Sequence, residues 1–193
     1  MRRRLAEHNL KAFADADVVV VNAAGCGAPL KEVGDLLDRE DARELSAKVR
    51  DLMEFLAEQG VEPPATAAGL ERVAYHDPCH ALRAQKIRAE PRAVLGSIPG
   101  LEVVDLPSGD VCCGAAGLYN VLQPHMSSDL RRAKADAVAE TGVSVVASAN
   151  PGCVMQLAAG VREVGADVEV LHPVELLDRA YAASVPAPSR ASS

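Results

Sequence analysis

Short runs of β-branched residues alternate along the chain with longer stretches of helical periodicity. Val18-Val-Val-Val-Asn22 reads as a buried strand that stops at Ala23-Ala24-Gly25-Cys26-Gly27, and the residues after it place Leu30, Val33, Leu36 and Leu37 on one helical face. Across 41–59, Leu45, Val49, Leu52 and Leu56 recur at helical spacing, which predicts one long helix ended by Gly60. Residues 60–69 hold too much Pro and Gly for either regular state. A strand follows at 72–76, and Asp77-Pro78 predicts a helix with Asp as cap and Pro in its first turn. The pattern then gives a helix over 90–98 broken by Pro99-Gly100, a strand over 101–106 and a Gly-rich stretch over 108–117 around Cys112-Cys113. A charged helix over 124–140 ends at Thr141-Gly142, and a strand over 143–148 leads into a turn at Asn150-Pro151-Gly152-Cys153. That turn opens a helix through Val164, a last strand covers 168–171, and His172-Pro173 opens a last helix to about residue 182.

Strands separated by helices imply βαβ units, so the expected fold is α/β, a mostly parallel sheet with flanking helices. In such sheets ligands gather beyond the carboxyl ends of the strands. The chain also repeats itself. Residues 16–26, ending in Ala-Ala-Gly-Cys, lie over 143–153, ending in Asn-Pro-Gly-Cys, with Cys26 matching Cys153 at an offset of 153 − 26 = 127 and Leu30 matching Leu157. Each copy is a buried strand, a turn of small residues and a Cys at a helix start.

Composition narrows the partners. With 20 Lys and Arg against 27 Asp and Glu, the net charge of −7 argues against a polyanion ligand, and aromatics at 3% with no Trp argue against a base-stacking surface. No nucleic acid is expected. Neither of the longest apolar runs, near 18–21 and 143–147, approaches the ~20 residues of a membrane-spanning helix. The N-terminus is basic but lacks the apolar core of a secretion signal, so a cytoplasmic location with reduced cysteines is expected.

The candidate chemistry is in the cysteines. Cys79, Cys112, Cys113 and Cys153 occur as His76-Asp-Pro-Cys79-His80, Val111-Cys112-Cys113-Gly114 and Asn150-Pro-Gly-Cys153. Cys79 and Cys153 are expected at helix N-termini, where orphan N–H groups favour a thiolate. Gly beside Cys112-Cys113 lets backbone N–H groups approach sulfur. Three loops at one sheet edge thus present four thiols, the ligand number of an iron–sulfur cluster. Inert buried cysteines, a structural zinc site and metal-free thiol–disulfide chemistry are the alternatives, although adjacent cysteines do not reproduce the C-x₂₋₄-C spacing of compact zinc sites. Cys26 is a weaker candidate because its repeat lacks other thiols. His76 and His80 flank Cys79 as candidate hydrogen-bond donors or ligands, His172 reads as a helix-capping residue, and Arg131, Arg132 and Lys134 read as a solvated helix face.

These residues resemble the cysteine-rich CCG domain, whose repeat runs Cys, a long gap, Cys-Cys-Gly, a long gap, then Cys-x-x-Cys. Asn150 stands where the first Cys of the final pair would be, so the set has four thiols rather than five. Within that family the chain is similar to iron–sulfur subunits of glycolate oxidase, through His76-Asp-Pro-Cys-His80, Gln85-Lys-Ile-Arg88, Cys112-Cys-Gly-Ala-Ala-Gly-Leu-Tyr-Asn120, Gln123-Pro124 with Met126, and Asn150-Pro-Gly-Cys-Val-Met-Gln-Leu157.

The resemblance implies two CCG-type repeats, the first truncated. Residues 1–60 would be the C-terminal half of the first repeat, 61–71 a linker, 72–183 the second repeat and 184–193 a disordered tail. It implies that Cys79, Cys112, Cys113 and Cys153 hold an iron–sulfur cluster of the 4Fe-4S kind, with FAD on a partner subunit. The partners implied are flavoprotein subunits of a glycolate oxidase complex, located in the cytoplasm or peripherally at the inner face of the membrane. In the family a ferredoxin-like part with two C-x-x-C-x-x-C groups precedes the CCG repeats; it is absent from these residues, which resemble a C-terminal part.

Overall fold

The computed structural model describes residues 1–107, 109 and 111–184. The expected tail therefore lies outside the described residues, apart from Ser184, as do Ser108 and Asp110 of the Gly-rich stretch.

The architecture is α/β, with parallel sheets only and helices around them. Helix α1 (Arg2–Ala12) precedes strand β1 (Val19–Val21), helix α2 (Ala24–Lys31), helix α3 (Val33–Leu37), helix α4 (Glu40–Lys48), strand β2 (Val49–Asp51) and helix α5 (Leu52–Gln59). Strands β1 and β2 pair in parallel, with Val19 opposite Val49 and Val21 opposite Asp51. Beyond an irregular stretch come β3 (Arg72–Tyr75), a π-helical segment (His80–Gln85), α6 (Ala89–Gly96), β4 (Glu102–Asp105), α7 (Tyr119–Leu122), α8 (Pro124–Thr141), β5 (Val145–Ala147), α9 (Pro151–Glu163), β6 (Glu169–Leu171) and α10 (Pro173–Ser184). The second sheet has the order β4-β3-β5-β6.

Both faces of this sheet are covered, as a parallel sheet requires. Alternation sorts the strand residues: Val73, Tyr75, Val145 and Ala147 pack with Leu95, Ile98 and Leu176 on one side, and Ala74 and Val146 pack with Val138, Leu157 and Val161 on the other. A separate core of Val19, Val33, Leu37, Ala42, Leu45 and Val49 holds the first sheet to its helices.

Three expectations are corrected. Residues 41–59 are not one helix. Val49 is extended and pairs with Val19, and the Asp51 side chain accepts the Met53 N–H (2.9 Å) while Glu54 accepts the Asp51 N–H (2.9 Å), a capping box that starts a new helix. Hydrophobic spacing could not separate these states, because a β-branched residue completely buried by β1 looks the same in the pattern as one on a helix face. Asp77 does not cap a helix: its carboxylate takes two bonds from Arg92, which also binds Asp105 and lies 5.0 Å from the centre of the Tyr75 ring. The segment after it is π-helical and starts only at His80. Lys134 is not on a solvated face; it is buried at 2% exposure. Helices α1 and α7 were not expected from the pattern.

Candidate metal centre

The cysteines reach their places by strand-to-helix connections. Cys79 follows β3, Cys112 and Cys113 follow β4, and Cys153 is the third residue of α9, just beyond β5. All these strands are parallel, so the connections open at one sheet edge. The expected helix-start position holds for both: Cys153 lies in the first turn of α9, and Cys79 is the N-cap of the short π-helical segment.

All four cysteines line a single open cavity of about 940 Å³, together with His80, Asn150 and Gln156. Cys113 and Cys153 are buried and their sulfurs are 3.0 Å apart, while Cys79 and Cys112 are half-buried. Cys26, set apart by the sequence, lies on the wall of the same cavity and is exposed. It is the third residue of α2, as Cys153 is of α9, so the repeat seen in sequence is also a repeat of position. The two copies meet: Ala24 N–H donates to the Ala149 carbonyl at 3.1 Å and Gly25 N–H to Asn150 Oδ1 at 3.0 Å.

The vicinal pair sits on a fixed loop. Gly114 has φ +87°, and a Cβ there would come within 2.7 Å of the Ser127 carbonyl, so the turn admits only glycine without movement. Ser127 Oγ donates to the Gly114 carbonyl (2.9 Å) and accepts from Gln156 Nε2 (2.7 Å), and Arg131 donates to Gln156 Oε1 (3.3 Å). Gln156 is three residues beyond Cys153 on α9, so one helix face both presents a thiol and holds the loop of the other two. Neither Ser127 nor Gln156 was expected in the site; the i, i+3 spacing from Cys153 was the available signal for Gln156.

Donors approach two sulfurs. Gly114 N–H points at Cys112 Sγ (3.4 Å) and Asn150 Nδ2 at Cys153 Sγ (3.4 Å). The proton shared by Cys113 and Cys153 separates their acidities. Cys113 is held down to about 6, first because its thiolate accepts from Cys153 and then through backbone N–H groups. Cys153 is pushed up by the same bond and by burial. Burial, then the neighbouring Cys112 and Cys113, raises Cys79.

The histidines divide. His80 lines the cavity, with Nδ1 3.6 Å from Cys79 Sγ. His76 is buried behind it, bound through Nδ1 to Ser148 Oγ at 3.1 Å, with Nε2 unpartnered among the described residues. His172 Nδ1 accepts the Val174 N–H and so caps α10, as expected.

The donor set is all sulfur, suited to soft metals. Among the described residues no three His, Cys, Asp or Glu side chains are grouped as a single metal ion needs. Thiols spread around a cavity, with N–H groups aimed at two of them, fit a multi-iron group, in which separate thiolates reach separate irons. Among the described residues no helix is long and apolar enough to cross a membrane.

Known proteins give the arrangement its relatives. Residues 73–158 match the model of the cysteine-rich domain, CCG. One subunit of the fumarate reductase (CoM/CoB) of Methanothermobacter marburgensis is 35% identical over 178 residues, which are 92% of this chain and 35% of that protein. The glycolate oxidase iron-sulfur subunit of Escherichia coli is 33% identical over 86% of this chain and 40% of its own length. Lactate utilization protein A of Geobacillus thermodenitrificans is 32% identical over 88% of this chain and 73% of its own length. The chain thus spans less than half of the first two proteins and nearly three quarters of the third. The match to the CCG model over the residues that carry the thiols, and to relatives over most of the chain, makes this protein a member of the cysteine-rich CCG domain family.

Proposed function

We propose that this chain is the cluster-holding part of an iron–sulfur electron-transfer subunit in an oxidoreductase complex that oxidises a 2-hydroxy acid, glycolate first among them. The observation that supports it most is the meeting of Cys79, Cys112, Cys113 and Cys153 on one cavity at the carboxyl edge of the parallel sheet. When bound, an iron–sulfur cluster takes up and releases single electrons. A 2-hydroxy acid gives up two electrons and two protons to become a 2-oxo acid, so the bond chemistry belongs to FAD on a flavoprotein partner. This chain's residues hold thiolates, orient the Cys112-Cys113 loop through Ser127 and Gln156, and aim N–H groups at sulfur. Leu118, Val121 and Leu122, each about 70% exposed beside the cavity residues Gly117 and Asn120, support docking of a partner subunit there. Residues 1–60 and 72–183 would be the two CCG-type units on either side of the linker at 61–71. The names of the relatives also include lactate utilization, and lactate is a 2-hydroxy acid as well.

Anaerobic treatment with iron and sulfide tests the reading. The expected product is coloured, with a broad band from thiolate-to-iron charge transfer, and should support glycolate-dependent dye reduction when combined with the flavoprotein subunit. A colourless protein holding one zinc ion would overturn it in favour of a docking module with a structural metal. Faster turnover of lactate than glycolate in the assembled complex would reassign the substrate.

Cys26 and Cys153 give a second test. Cys26 shares the cavity but is exposed and makes no hydrogen bond to another sulfur among the described residues, whereas Cys153 is buried against Cys113. Cys153→Ala should lose most of the bound iron and Cys26→Ala little. Equal loss in both would add Cys26 to the ligands.

A further inference from the structure

Asn150 occupies the N-cap position of α9, where an Asn side chain ordinarily accepts an N–H of the first turn, yet its side chain makes no such bond. Its amide is used across the molecule instead. Oδ1 accepts the Gly25 N–H at 3.0 Å, and Nδ2 donates to Cys153 Sγ at 3.4 Å. Each contact fixes the other, because a backbone N–H can be received only by the amide oxygen and the NH₂ group must then face the sulfur. The approach depends on Gly25, where a Cβ would already lie 3.2 Å from Oδ1. The bridge runs one way: the residue matching Asn150 in the first copy is Ala23, which has no polar side chain.

We propose that Asn150 is a positioning residue that holds the Cys26 turn against α9 and donates an N–H to the Cys153 sulfur, raising the reduction potential of the group that the four cysteines hold. The tuning role rests on the cluster reading. An N–H aimed at a thiolate takes up part of its negative charge, which favours the reduced, more negative state of the metal group. The position that a five-cysteine set would fill with a further thiolate here supplies a hydrogen bond to sulfur and a tie between the two copies.

Two substitutions separate the roles. Asn150→Asp keeps an oxygen for Gly25 but replaces the donor with negative charge; Asn150→Ala removes both contacts. Loaded with iron and sulfide, both variants should show midpoint potentials shifted downward, Asn150→Asp furthest. In metal-free protein the Gly25 amide, followed by NMR hydrogen exchange, should keep its protection in Asn150→Asp and lose it in Asn150→Ala. Potentials equal to that of the unaltered protein would overturn the tuning role, and equal exchange in all three proteins would overturn the positioning role. An unaltered protein that binds no iron and sulfide would overturn the cluster reading and the tuning with it, while the exchange comparison would still decide the tie. If Asn150→Ala fails to fold, the potential of the isosteric Asn150→Asp decides the tuning role, and Asn150→Leu, which keeps the volume but has no acceptor, takes its place in the exchange comparison that decides the tie.

Discussion

Replacing Cys112 and Cys113 together with serine should leave a folded protein that binds almost no iron or sulfide and shows no visible absorption band. The two sulfurs come from one loop, so the double change removes half of the proposed ligands while leaving the loop's support intact. The Ser127 bond to the Gly114 carbonyl and the Gln156 bond behind it involve neither sulfur, and a serine hydroxyl at 112 can still accept the Gly114 N–H that Cys112 Sγ receives. Serine is close to cysteine in size, but its alcohol stays protonated at neutral pH and is a poor ligand for soft metals. Cys79 and Cys153 would remain, and two thiolates are too few for a cluster that needs four. Iron and sulfide analysis after anaerobic reconstitution is the measurement, with circular dichroism to show that the fold persists. A full complement of iron in the double variant would overturn the ligand assignment even if the protein is an iron–sulfur protein.

Acid should destabilise the fold through His76. This imidazole is 1% exposed, and its pKa is pushed down to about 3, mainly by burial and then by the charge of the buried Lys134. The folded state therefore resists protonation that the unfolded chain accepts near 6.5. Stability from neutral His76 is present above about 6.5 and is lost as pH falls toward 3. Linkage over that window puts the loss between pH 7 and pH 4.5 at about 2–3 kcal/mol, at about 1.36 kcal/mol per pKa unit. Urea unfolding of metal-free protein at several pH values measures it. In His76→Gln that part of the slope should vanish, whatever the variant's stability at neutral pH. Parallel slopes in the two proteins would exclude His76 as the source.

Most elements could be read from the sequence because their signals are local. β-branched runs mark β1, β4 and β5, Pro151 marks the start of α9, and Gly142 ends α8 in the left-handed conformation. Cys-Cys-Gly and the two other cysteine segments were legible as a site because strand–loop–helix order places them at one edge. What could not be read depends on packing between distant segments. Val49 became a strand because Val19 was there to pair with it. Lys134 went inward although its helix carries charges around it. Asp77 had every local mark of a cap, but a bidentate bond with Arg92 wins over a single bond to a backbone N–H. Cys26 was placed apart by counting thiols within its own repeat, and the contacts of Ala24 with Ala149 and of Gly25 with Asn150 put it on the shared cavity.

The strand order β4-β3-β5-β6 also sets a timetable for biosynthesis. β3 finds β4 soon after it is made, yet its other neighbour, β5, is synthesised only after α8, and the contacts that close the cavity join Gly25 to Asn150, 125 residues apart. Such distant pairings are slow, because loop entropy is lost before any contact repays it. A growing chain carries Cys26, Cys79, Cys112 and Cys113 into the open well before Cys153 leaves the ribosome. Until then these thiols have no completed pocket and remain open to stray metals and oxidants, so a cluster held by the four cysteines as proposed would be assembled only after Cys153 has left the ribosome.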